Sequence, residues 1–144
     1  MKKNIVYVIS FLAHAVLLAI FMAVKNKLDV FTLILFMGLP IIVSGILAFV
    51  GTKMQKEHNS MKEIPTVIPY VGINVLYWIF VNVQLNTGNT LNTIYETSRR
   101  YNSDMIEVST NNSPVSGMIL LVLVSFVLCY FMVKHAGKRD KIEQ

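Results

Sequence analysis

The chain has 144 residues, of which 54% are hydrophobic and only 15% charged, with a formal net charge of +5. Soluble domains carry about 25% charged residues, and this much apolar surface is hard to hide inside one small globule. The distribution decides the class, because charges are nearly absent from four long runs and crowded between them.

The runs cover about 5–24, 30–50, 64–83 and 115–133, and none contains Asp, Glu, Lys or Arg. They hold 20, 21, 20 and 19 residues, close to the roughly 20 that a helix needs to cross about 30 Å of hydrocarbon. Lipid offers the backbone no hydrogen-bond partner, so such runs span as helices. The expected fold is all-α, a polytopic integral membrane protein with four transmembrane helices in a single membrane domain, 1–144.

The first run follows Lys2 and Lys3 and contains Ala13-His14-Ala15, which has the small-x-small look of a signal cleavage site. The apolar run is too long for a signal core, so we read it as a membrane anchor. Ala15, Ala19 and Ala23 repeat at four-residue spacing, and the second run holds Gly38, Pro40, Ser44, Gly45 and Ala48. Helices in lipid associate through close packing at small side chains. The spacing therefore predicts that the first two spans pack as an antiparallel hairpin along these faces, Ser44 and Ala48 against the alanine stripe. Pro40 removes one helical hydrogen bond and favours a kink. Gly38 is expected to make room for the bend and Ser44 to offer its hydroxyl to the freed carbonyl. The third run holds Pro65 at its start and Pro69 one turn in.

Between the third and fourth runs lies a polar segment, 84–114. Within it Leu91, Ile94, Tyr95, Ser98, Tyr101, Met105 and Ile106 fall at helical spacing, which suits an amphipathic helix that lies on the outer leaflet or covers the bundle mouth. The flanking NTGNT and STNNSP stretches are turn-forming joints. The fourth run contains Cys129, the lone cysteine, which reads as an inert buried thiol. A basic tail, 134–144, follows.

Lys and Arg are retained on the cytoplasmic side. Segments 1–4, 51–63 and 134–144 hold nine of them, against four in 25–29 and 84–114, which predicts both termini in the cytoplasm. Tyr7, Tyr70 and Tyr130 near the inner ends, and Tyr77 and Trp78 toward the outer end of the third span, match the depths that amphipathic rings favour. The tail sequence KHAGKRDK, 134–141, attracts anionic lipid headgroups. It is short and has no reading helix or stacking platform beside it, so nucleic acid is not an expected partner.

His14, Asn74 and Ser125 fall at the middle of the first, third and fourth spans. Polar groups at that depth face the interior and find partners, and a His14–Asn74 hydrogen bond is the simplest pairing. Structural glue is the first reading of this cluster. A protonation-sensitive switch and a transport role are the sharper ones, since an imidazole changes charge near neutral pH. Coupled proton transport, however, usually uses intramembrane carboxylates, and the runs contain none.

No metalloprotease, Cys-x-x-Cys, phosphate-loop or nucleophile-elbow motif occurs. His58 with Glu57 and Glu63 lacks a specific metal-ligand spacing. No catalytic residue, cofactor or metal site is expected, and the chain does not read as an enzyme.

The succession of GLPIIVSGILAFVGTKM (38–54), an aromatic third span ending VNVQL (81–85), DMIEV (104–108) and a basic tail resembles the Msa family of small staphylococcal membrane proteins, modulators of the accessory regulator SarA. The resemblance implies a multipass membrane protein that modulates virulence-regulator expression indirectly. The sequence carries no output domain, so a signal would pass to a membrane-protein partner. Two other classes compete with this reading. One is a small oligomeric transporter or channel subunit; the other is an accessory or immunity protein of a larger membrane complex.

Overall fold

A computed structural model describes residues 2–54, 63–101 and 114–139, with side chains over 4–54, 63–101 and 117–137. The expectations for His58, Glu57, Met105, Ile106, DMIEV, STNNSP up to Ser113 and the tail beyond residue 139 lie outside the described residues.

Among the described residues five α-helices follow in chain order: α1 Lys2–Val24, α2 Val30–Lys53, α3 Glu63–Leu85, the short α4 Thr90–Ser98, and α5 Pro114–Arg139. Single 3-10 turns, Lys25–Lys27 and Arg99–Tyr101, follow α1 and α4. Helices α1, α2, α3 and α5 are each long and apolar enough to cross a membrane, and the protein is a multi-pass, all-α membrane protein. The four pack as a bundle in which α2 and α3 both contact α1 and α5. Among the described residues α1 and α5 do not pack directly on each other.

The usual soluble arrangement is inverted. Leu12 and Val16 on α1, Ile42 and Ile46 on α2, Leu76 and Val83 on α3, and Leu120 and Phe131 on α5 all point outward and are more than half exposed. Ser10, Ser44, Asn74 and Ser125 are 0% exposed. In water this would strand apolar area; in hydrocarbon the apolar surface is solvated and the polar groups must meet one another.

The interior is layered. One apolar layer lies toward the α4 end and contains Phe21, Phe36, Ile41, Tyr77, Trp78, Val81, Leu85 and Ile94. The other lies toward the chain termini and contains Val6, Ala48, Val67, Tyr70, Cys129 and Val133. The buried His14, Ser44, Asn74 and Ser125 occupy the level between them.

Helix starts and joints follow local chemistry. Asp29 N-caps α2, its Oδ1 accepting from Thr32 N at 2.8 Å and Thr32 Oγ1 at 2.7 Å, which meets one orphan amide of the first turn. Gly88 joins α3 to α4 with φ of 68°, a conformation that glycine adopts without a Cβ penalty.

The small-residue hairpin is not what forms. Helices α1 and α2 are neighbours, with Phe21 edge-on to Phe36. Ala15, Ala19 and Ala23, however, are exposed on the outside of the bundle. The buried face of α1 is Val6, Ser10, His14 and Phe21 instead, because the polar groups of that stripe cannot face lipid. The small residues of α2 are buried as expected but are shared between neighbours. A Cβ on Gly45 would run into the Leu128 side chain of α5. One on Gly51 would lie 2.5 Å from Tyr70 Oη and 3.2 Å from Val6 Cγ1. Gly38 is different, since a Cβ there would meet nothing within 4 Å. It is not needed for clearance.

Candidate functional site

At the middle of the bundle one carboxamide gathers side chains from all four spanning helices. Asn74 on α3 places Oδ1 2.7 Å from His14 Nε2 of α1, and the same oxygen accepts from Ser44 Oγ of α2 at 2.8 Å. Its Nδ2 donates to Ser125 Oγ of α5 at 2.6 Å. His14 Nδ1 donates to the Ser10 carbonyl one turn earlier at 2.7 Å, and Ser44 Oγ lies 3.4 Å from His14 Nε2. His14 is 3% exposed. The expected trio of His14, Asn74 and Ser125 therefore does come together, with Asn74 at its centre.

Ser44 belongs to this cluster, which the sequence reading missed by assigning its hydroxyl to the Pro40 kink. The signal was its depth: Ser44 lies near the middle of the second run, as the other three do in theirs. The Ser10 hydroxyl is also buried and has no hydrogen-bond partner among the described residues.

The carbonyl freed by Pro40 is that of Phe36, four residues back. It accepts from Tyr77 Oη at 3.1 Å, and Trp78 Nε1 donates to the next carbonyl, Met37 O, at 3.0 Å. Consecutive aromatic residues of α3 thus meet the opened turn of α2. Tyr77, Trp78 and Tyr70 are almost fully buried within the bundle; they do not face the headgroups as their position along the span suggested. Their polar atoms find backbone or neighbouring groups only by turning inward, and that need outweighs the interfacial preference of an amphipathic ring.

A second polar cluster sits at the α4 end. Arg100 Nη2 donates to Asp29 Oδ2 at 2.6 Å and Tyr101 Oη donates to the same oxygen at 2.9 Å. Val30 N donates to Ser98 Oγ at 2.8 Å, and Lys25 Nζ to Gln84 Oε1 at 3.0 Å. Phe31 and Tyr101 meet edge to face with centroids 4.8 Å apart. The bonds from Ser98, Arg100 and Tyr101 latch α4 and its 3-10 turn over the α1–α2 connection, the second of the two positions open to this segment, and Lys25 ties that connection to the end of α3. Asp29 is held well below the usual carboxylate range, first by the Thr32 hydroxyl, then by the Thr32 amide, Tyr101 and Arg100, against the opposing effect of burial.

Among the described residues no group of three or more His, Cys, Asp or Glu is placed to hold a metal ion. The arrangement at the midplane offers donors and acceptors turned on one another. No family model matches the chain, and neither a curated protein nor a solved structure matches it.

Proposed function

We propose that the protein is a regulatory or signal-relaying membrane factor. It resides in the cell membrane with both termini in the cytoplasm and acts through a partner. The observation that carries this reading is the closure of the midplane. Transporters present polar groups to a substrate at that depth, whereas here His14, Ser44, Asn74 and Ser125 bond to each other. A hub of this kind couples the four spanning helices, so a displacement of one is felt by the others. The resemblance to the Msa family points the same way, toward indirect modulation of virulence-regulator expression. The charged segments 51–63 and 134–144 would face the partner and the anionic headgroups.

A second reading, a homo-oligomeric transporter or channel subunit, draws on the outward position of Ala15, Ala19 and Ala23. Small side chains let a neighbouring helix approach closely, whether it comes from another protein or a second copy. A photo-crosslinking residue at Ala19 in native membranes separates the readings. Reproducible capture of one sensor kinase, protease or other regulatory membrane protein supports the relay. Capture of the chain by itself, together with proton-coupled efflux from reconstituted vesicles, replaces it with the transporter.

A further inference from the structure

The hydrogen-bond geometry around His14 carries an inference that does not depend on any partner. Nδ1 faces the Ser10 carbonyl at 2.7 Å and Nε2 faces Asn74 Oδ1 at 2.7 Å. Both atoms opposite the ring are oxygens that only accept. An imidazole satisfies two acceptors only when both nitrogens carry hydrogen, which is the cationic form. A neutral ring that keeps its Nδ1–H on Ser10 turns a bare Nε2 lone pair toward that same oxygen.

A half-turn of the Asn74 carboxamide removes the conflict. Its oxygen and nitrogen exchange places with almost no change of shape. Nδ2 then donates one hydrogen to His14 Nε2 and the other toward Ser44 Oγ. Oδ1 in turn accepts from Ser125, whose hydroxyl reverses from acceptor to donor. Ser44 reverses from donor to acceptor. Both arrangements satisfy the ring nitrogens, and they differ by one proton on His14.

We propose that His14 is a proton-binding site at the bundle midplane, read out by rotation of the Asn74 carboxamide and reversal of the Ser44 and Ser125 hydroxyls. The proton bound on α1 is thereby registered on α5 through the Asn74 carboxamide.

The surroundings leave this equilibrium free to move. From α3 the Tyr77 ring stands edge-on to His14 with centroids 6.0 Å apart. Tyr7 on α1, Tyr70 on α3 and Cys129 on α5 lie in the apolar layer on the termini side, and α2 contributes only the non-titrating Ser44. No Asp, Glu, Lys or Arg occurs in the four apolar runs, so no fixed charge at this depth holds His14 in one form. An uncompensated cation in hydrocarbon is costly, and the rotated arrangement is the one in which an uncharged ring keeps both of its hydrogen bonds.

The test uses the full chain in bilayers, with His58→Gln and His135→Gln so that one histidine remains. Nitrogen NMR of the ring and of the Asn74 side chain is followed from about pH 8 to about pH 5, the interval in which imidazoles change charge. The expected result is conversion of His14 from an Nδ1–H neutral ring to a doubly protonated one, with the Asn74 carboxamide signals shifting in the same step. A ring that keeps one form throughout, a neutral Nε2–H ring, or an Asn74 that does not follow His14 overturns the proposal.

Asn74→Asp leaves only acceptors opposite Nε2 and moves the conversion to higher pH. Ser44→Ala takes one hydrogen bond from each arrangement, the donor to Oδ1 in the cationic one and the acceptor of the second Nδ2 hydrogen in the neutral one, so His14 and Asn74 should still convert in one step. This variant changes a single hydroxyl, so it serves if the aspartate variant does not fold. Conversion of His14 in Ser44→Ala with no accompanying change at Asn74 is equally fatal.

Discussion

The Asn74 cluster and the Asp29–Arg100 latch are built from similar bonds, 2.6–2.9 Å long, between residues far apart in the chain. Their settings differ. The latch sits outside the spans and, although Asp29 is buried, the Arg100 side chain is 61% exposed; water and salt compete for the guanidinium, and such pairs contribute little to global stability. At the midplane the alternative to each bond is an unmet polar group in hydrocarbon. Bonds of similar length therefore position a segment in one place and hold four helices in register in the other.

The largest expected effect is from Asn74→Leu, which removes the hub and leaves three neighbours facing hydrocarbon. Interhelical bonds average about 0.6 kcal/mol and each buried group left unmet costs about 1–3 kcal/mol. Reversible unfolding in mixed micelles should accordingly show a loss of about 2–4 kcal/mol. A loss similar to that of a surface variant would mean the cluster does not hold the helices.

Next in size is Tyr77→Phe, which deletes only the donor to the Phe36 carbonyl and should cost about 1 kcal/mol. In a Pro40→Ala background, which restores the missing helical amide, the same change should cost little. The double-mutant cycle isolates that coupling; two additive single effects would show that Tyr77 does not serve the kink.

Arg100→Gln is expected to act locally. Amide exchange should rise over Thr90–Tyr101 while the histidine signals of the midplane stay unchanged. Because the folded state lowers the Asp29 carboxyl below its ordinary value, the latch is at full strength above about pH 4, the ordinary carboxylate value. It weakens only as pH falls further and the carboxyl takes up its proton. Exchange protection over α4 should thus stay flat between about pH 5 and 8, the interval in which His14 is proposed to change. Loss of protection within that interval would erase the distinction between the clusters. Smallest of all is Gly38→Ala, which meets open space and should leave unfolding within about 0.5 kcal/mol of the parent.

The spans were readable because a bilayer imposes length and charge exclusion on single segments, and each run lies within one observed helix that extends a little beyond it. The depth argument also located His14, Asn74 and Ser125, since an unmet polar group at a shared level must find another. Rotation about a helix axis was harder to read. The alanine stripe of α1 looked like a contact face, but burial of Ser10 and His14 turned it outward. Tyr77 and Trp78 looked interfacial by depth alone, and their role depended on an orphan carbonyl 41 positions earlier. The latch of Asp29 with Arg100 and Tyr101 spans 71 and 72 positions, and no periodicity within either segment announces it.

The pairing of Pro40 with Tyr77 also sets an order for biogenesis. Ribosomes add about 5–20 residues per second, so the second span emerges about 2–8 s before the residue that quiets its broken turn. During that wait the half-finished hairpin is a poor guest in lipid and is best retained beside the insertion machinery. Nascent chains arrested before residue 77 should therefore crosslink to the insertase, and those arrested after the third span has cleared the ribosome should be released into the bilayer.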